Sequence, residues 1–274
     1  MRASIGLDSR ASPVKTILSA SVKGGVGKTT VAVGVAQALQ RRGFQVGILD
    51  LDYQAPCVPI VLNIEDGVLG RTENDALVPV QVGGLHVFSM AFIWPPSKCV
   101  QVEDNDATAD VRQLLTPGVI AWPDLDFLVL DSPPTSSGIV RVALECSEAA
   151  GAVIVSHPSR VSRADTVRTL DLFSEKQVPV FGLCSNQGVD ERGENRFDLQ
   201  DQDIIDLAAL YGLPWCFCIP HTRTLEPHFD GLAQCILSTQ PVLLAKPQEP
   251  KGAGWERIIT LAQKLTGPTP SEKR

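Results

Sequence analysis

Short apolar runs recur along this chain, and stretches of helical periodicity lie between most of them. Residues 17–20, 46–49, 85–88, 127–130, 152–155, 180–184 and 215–219 read as strands. Most of these runs are continuously apolar rather than alternating, as expected of strands covered on both faces of a parallel sheet. Helices are predicted over residues 29–42, where Gly43 supplies the stop, and over 160–175, 200–210 and 255–265. The alternation predicts repeated βαβ units and therefore an α/β fold. Residues 95 to about 108 are acidic and poorly patterned, and they read as a surface loop. Residues 187–196, polar and glycine-containing, read as a second loop leaving a strand end. The economical division is an N-terminal extension (1–14), one domain (15–266) and a short polar tail (267–274).

Composition supports that picture. Of 274 residues, 44% are hydrophobic but only 5% aromatic, so small apolar side chains dominate. Such residues let helices pack closely on a sheet. A net charge of −7 argues against broad binding to nucleic acid, with Arg160, Arg163 and Arg168 forming at most a local basic group. No run approaches the ~18 apolar residues of a membrane span, and the first ten residues lack the apolar segment of a signal peptide. Seven cysteines (57, 99, 146, 184, 216, 218 and 235) are odd in number and scattered, which suits reduced thiols in the cytoplasm.

Between the first predicted strand and the first predicted helix stands Lys23-Gly24-Gly25-Val26-Gly27-Lys28-Thr29-Thr30. Glycines let backbone N–H groups wrap around phosphate oxygens, and the helix N-terminus adds partial positive charge there. Lys28 is placed to reach β- and γ-phosphates, and the Thr29 hydroxyl to ligate Mg²⁺. The first glycine of the strict G-x-x-x-x-G-K-[ST] pattern is absent, and an extra lysine, Lys23, opens the motif instead. The segment predicts binding of a nucleoside triphosphate. Asp50 and Asp52 end the second strand, and their i, i+2 spacing predicts two carboxylates on one side of the ligand crevice. There they would hold Mg²⁺ through water and orient a water toward the γ-phosphate. A third acid, Asp131, closes the apolar run 127–130 in the manner of a Walker B strand. Pro133 and Pro134 stiffen the loop that follows.

Together these segments, with residues 152–165 and 178–182, resemble the deviant-Walker-A ATPases. Within that class they are most similar to the Mrp/ApbC branch of iron–sulfur cluster carrier proteins, across residues 15–265. The resemblance implies a three-layer, Rossmann-like P-loop NTPase fold with a mostly parallel sheet covered by helices on both faces. It implies ATP and Mg²⁺ as ligands, slow hydrolysis that works a switch, and a cytoplasmic homodimer that sandwiches nucleotide. Lys23 matches the signature lysine that reaches the partner subunit's nucleotide, and Asp52 the carboxylate that orients the attacking water. Asp131 matches the Walker B aspartate. Asn186 matches an asparagine that reads the adenine edge, and Pro220 lies in the loop that flanks the base. An amide does offer adenine both a donor and an acceptor.

The chain also departs from that branch. Carriers place a C-P-x-C or C-x-x-C pair after the asparagine-bearing strand, whereas residues 185–194 here contain no cysteine. Residues 135–138 differ from the switch II pattern, and Ala55 stands where glycine is usual. Cys216 and Cys218, at i and i+2 of a predicted strand, share a face and could offer thiolates to a [4Fe–4S] cluster. They read rather as small core residues, the reading the strand context favours. Cys184 on a neighbouring strand would extend the pair into a thiol cluster. The four histidines show no zinc spacing, and His157, after a strand and before Pro158, would either lie near the nucleotide crevice or, as the preferred reading, be an exposed loop residue.

Two functions remain in contention. One is an Mrp-type ATPase assisting iron–sulfur or other metallocofactor assembly for an unnamed client. The other is a MinD/ParA-like positioning ATPase acting through a protein partner without a cluster. The apolar face Trp255, Ile258, Ile259, Ala262 and Leu265 is expected to pack on the sheet rather than on a membrane. A P-loop kinase or ligase would need a substrate-binding set that the chain does not display.

Overall fold

The computed structural model describes residues 14–53, 55–93, 104–134, 138–146 and 149–245. The extension before residue 14, the predicted helix 255–265, the tail 267–274 and residues 135–137 lie outside these. Strand β1 (Lys15–Ala20) leads through the glycine loop into α1 (Lys28–Arg41), and β2 (Val46–Asp50) follows. After α2 (Val58–Leu62) come β3 (Gly70–Arg71), β4 (Leu77–Val78), β5 (Val80–Val82) and β6 (Leu85–Ser89). A short 3₁₀ turn, Met90–Phe92, ends that section. The chain continues through α3 (Asp104–Leu114), β7 (Phe127–Asp131), α4 (Gly138–Cys146) and β8 (Ala149–Ser156). It then runs through α5 (Arg160–Glu175), β9 (Pro179–Asn186), α6 (Asp201–Leu210), β10 (Cys216–Ile219), α7 (Glu226–Ser238) and β11 (Val242–Leu243).

Nine of these strands form one sheet in the order β10-β9-β8-β1-β7-β2-β6-β5, with β11 paired to β9. Only β5 and β11 run antiparallel to their neighbours. Adjacent residues of the central strands feed opposite cores. Leu18, Leu49, Leu130 and Ile154 join one apolar cluster, while Ile17, Ile48, Val129 and Val153 join the other. This double burial is why the strands read as unbroken apolar runs. Helices α3 to α6 cover the first face through residues such as Val111, Val140, Leu170 and Leu207. Helices α1 and α7 cover the second, and at their crossing Gly34 meets Phe229 so closely that a Cβ would lie 2.3 Å from the ring. The result is the expected three-layer α/β arrangement. Among the described residues no helix is long and apolar enough to cross a membrane.

All of the predicted strands appear. The predicted loop at 95–108 is corrected at its end, where Asp104 already begins α3. Among its described side chains, Val111 and Leu114 tie the helix to the core. Helix α7 was also unforeseen, although Phe229, Leu232, Ala233 and Ile236 give it a buried face.

Candidate functional site

Strand β7 lies between β1 and β2, while β8 flanks β1 on the other side. The chain therefore reverses direction across the sheet at β1, and ligands of open α/β sheets bind beyond the strand ends at such a point. The loop that leaves β1 there turns at Gly25 (φ 77°) and Gly27 (φ 92°), a left-handed conformation open to glycine at little cost. Two hydroxyls fasten the loop. Ser19 Oγ donates to the Lys28 carbonyl at 3.0 Å, and Ser132 Oγ donates to the Ser19 carbonyl at 2.7 Å.

Lys28 folds back over this loop, its Nζ donating to the Lys23 carbonyl at 3.2 Å. Burial lowers its pKa, and the charges of Asp131 and Asp52 oppose that shift. Lys23 is half-buried, with exposed Gly24 and Gly25 beside it.

The acids are less alike than their spacing suggests. Asp50 is fully buried and committed within the protein. One carboxylate oxygen accepts from Ser89 Oγ (3.0 Å) and the Val58 N–H (3.2 Å), and the other from the Asp52 N–H (3.1 Å). It pins both ends of the segment joining β2 to α2. Strand β2 stops at Asp50, so period-two alternation does not carry on to Asp52. Asp52 is half-buried and accepts from the Ala55 N–H at 3.0 Å.

Asp131 stands beside Asp50 in register across β2 and β7 and is only 1% exposed. Burial raises the pKa of both acids, and Asp131 raises that of Asp50 further. The Thr29 hydroxyl and the Lys28 ammonium favour the charged form of Asp131. Even so, neither of its oxygens has a partner at full hydrogen-bond geometry. A buried carboxylate left open in this way fits a hard divalent cation, with the Thr29 hydroxyl alongside as a second oxygen ligand.

Asn186 ends β9, 4% exposed, and its Nδ2 donates to the Val26 carbonyl at 2.8 Å. A Cβ on Gly27 would lie 2.3 Å from that nitrogen, so the amide rests directly on the glycine loop. Pro220 follows Ile219, the register partner of Asn186, which brings both residues to one end of neighbouring strands. A cavity of about 350 Å³ runs from Thr30 along α1 to Arg223 and Thr224 in the loop after Pro220.

His157 was misread as exposed. It follows β8, is 9% exposed and stacks on Phe197 with ring centroids 4.6 Å apart. Burial first, then the positive charges of Lys23 and Arg196, push its pKa down to about 4. The run Ser156-His157-Pro158 gave only a weak signal for this, since the stacking partner arrives from the later loop 187–199.

Cys216 and Cys218 sit on the edge strand β10, partly exposed, on the same face as Leu183 and Ser185. Cys184 pairs with Phe217 and belongs to the opposite core. Cys184 does lie on the neighbouring strand, but the odd register step turns it to the other side of the sheet, so it does not extend the pair into a three-thiol cluster. Among the described residues no group of three or more His, Cys, Asp or Glu side chains is placed to hold a metal ion.

The iron–sulfur cluster carrier protein of Pseudomonas fragi is 35% identical over 247 residues, covering 86% of this chain and 81% of its own. The Rickettsia felis carrier is 33% identical over 172 residues, 63% of this chain, and that match spans 53% of the relative's length. This chain thus spans about half the length of some of the relatives it matches. Among solved structures, a nucleotide-binding protein from Archaeoglobus fulgidus in complex with ADP superposes with a TM-score of 0.66 at 27% identity. That match covers 84% of this chain and 93% of the other. The ParA model described as NUBPL iron-transfer P-loop NTPase matches residues 13–263. Nearly the whole chain lies within that match, and it belongs to the ParA family of NUBPL-type iron-transfer P-loop NTPases.

Proposed function

We propose that the protein is a homodimeric, Mg²⁺-dependent ATPase that couples ATP binding and slow hydrolysis to the assembly or transfer of iron–sulfur clusters. The observation that carries this reading is the Asp131 carboxylate, buried beside Thr29 and Lys28 with neither oxygen held at full hydrogen-bond geometry. The backbone from Gly24 to Thr30 would cradle the phosphates, with Lys28 neutralising them. Thr29 and Asp131 would hold Mg²⁺, whose charge draws electron density from the phosphate oxygens. Asp50, spent on internal hydrogen bonds, would hold the Asp52 loop in place rather than ligate metal. Asp52 would orient the attacking water, and Lys23 would reach the phosphates bound by the partner subunit. The cavity beside Thr30, lined by Arg223 and Thr224 of the loop after Pro220, would take the nucleoside end.

For the cluster as cargo, Cys216 and Cys218, on one face of an edge strand, would supply two thiols per subunit. Anaerobic reconstitution with iron and sulfide tests this assignment. The wild type should gain visible thiolate-to-iron absorption together with equal amounts of iron and sulfide, and the Cys216→Ser/Cys218→Ser double variant should gain neither. ATP-dependent dimerisation without any cluster in the wild type would favour a switch ATPase that acts only through a protein partner.

A further inference from the structure

The loop that leaves β9 is fastened at both of its ends. Gln187, the residue after Asn186, holds a left-handed backbone (φ 60°) that residues other than glycine seldom adopt. Two contacts keep it there. Its N–H donates to the Ile219 carbonyl at 2.6 Å, and its side-chain oxygen accepts from Arg196 Nη1 at 3.0 Å. Beyond it the chain closes on itself. Val189 bridges Asn195 in antiparallel fashion, and the Arg196 N–H donates to the Gly188 carbonyl at 3.0 Å. Asp190 Oδ1 accepts from the N–H groups of Arg192 and Glu194, which fixes the tip of this hairpin.

The hairpin also grips the loop after β10. The Val189 carbonyl accepts from the His221 N–H at 2.7 Å. One carboxylate oxygen of Glu191 accepts from the Arg223 N–H at 3.1 Å and from Thr222 Oγ1 at 3.4 Å. Thr222 Oγ1 in turn accepts from the Thr224 N–H at 3.2 Å. Arg223 and Thr224 have exposed side chains, and they line the cavity of about 350 Å³ that begins at Thr30. On its other side the hairpin grows from Asn186, whose amide rests on the glycine loop. One hairpin therefore sets the distance between the phosphate loop and the far wall of that cavity.

We propose that Glu191 is a positioning residue for the nucleoside end of the bound nucleotide, acting through the backbone of Arg223 and Thr224. This role rests on the ATPase reading, which places the nucleoside in the cavity beside Thr30. Without the Glu191 acceptor, the 222–224 segment samples conformations that do not form the wall. The ligand then bears the ordering cost, and apparent affinity falls with the fraction of chains that are competent to bind. Phosphate groups held by the glycine loop do not depend on that wall.

Calorimetric titration of ATP and of inorganic tripolyphosphate, each with Mg²⁺, into the full chain tests the role. Glu191→Ala should raise the Kd for ATP about three- to tenfold, the effect of one lost hydrogen bond, and leave tripolyphosphate unchanged. Glu191→Gln keeps an acceptor oxygen and should hold ATP to within about twofold of the wild type. Hydrogen exchange at the Arg223 amide should quicken in the alanine variant and not in the glutamine variant. An alanine variant that binds ATP as the wild type does would overturn the proposal. So would an equal loss for ATP and tripolyphosphate, or a glutamine variant as weak as the alanine one. A wild type that binds neither ligand would overturn the ATPase reading itself, and the role of Glu191 with it.

Discussion

The Asn186 amide donates to the Val26 carbonyl at 2.8 Å, tying the end of β9 to the glycine loop that leaves β1. The two residues are 160 positions apart, and both are buried. Truncation to Asn186→Ala should leave the Val26 carbonyl unpaired in a buried place. A stability loss of about 1–3 kcal/mol is expected from denaturant unfolding. ATP affinity, read with a fluorescent analogue, should fall because the loop loses its brace. Unchanged stability would mean the carbonyl finds another donor.

Lys28 and Lys23 should separate binding from assembly. Lys28→Ala removes the buried ammonium beside Asp131 and should abolish measurable triphosphate binding. Lys23→Ala should keep binding yet stay monomeric with Mg-ATP in light scattering. Full dimerisation of that variant would sink the sandwich model.

His157 makes stability depend on mild acid. Its folded pKa of about 4 lies below the 6.5 of an unperturbed histidine, so between those values the unfolded chain binds more protons than the folded one. Stability from this residue is therefore present above pH 6.5 and is lost as pH falls toward 4. His157→Phe keeps a ring against Phe197 and removes the titration. Its unfolding free energy should vary less across that window than the wild type's, as denaturant melts at stepped pH would read.

At the crossing of α1 and α7, two opposed effects meet. Gly34→Ala gains about 1 kcal/mol of helix propensity, but the new Cβ meets the Phe229 ring at 2.3 Å. Overpacking of this kind costs about 1–3 kcal/mol. Net destabilisation is expected in thermal unfolding, with recovery in the Gly34→Ala/Phe229→Leu pair.

The central strands and the phosphate loop were legible because they depend on local signals: unbroken apolar runs and glycines before a helix. The division of labour between Asp50 and Asp52 was not. It depends on where β2 stops and on Ser89, a residue of another strand. His157 was misjudged for a similar reason, since Phe197 reaches it only through the folded loop. The cysteines show the limit of counting. Spacing put Cys216 and Cys218 on one face, but only the pairing of β9 with β10 revealed that Cys184 faces the other way.

The position of β7 between β1 and β2 also bears on how the chain comes to be folded. The phosphate loop emerges before β7, since the strand that joins its β1 to the Asp50-bearing β2 begins only at Phe127. Asn186, which braces the loop, emerges later still. Pairings so distant in sequence carry a loop-closure cost before they are rewarded. A nascent chain stopped before β7 therefore holds the nucleotide motif without the sheet that shapes it, and it gains the site only once β7 is inserted and Asn186 has followed.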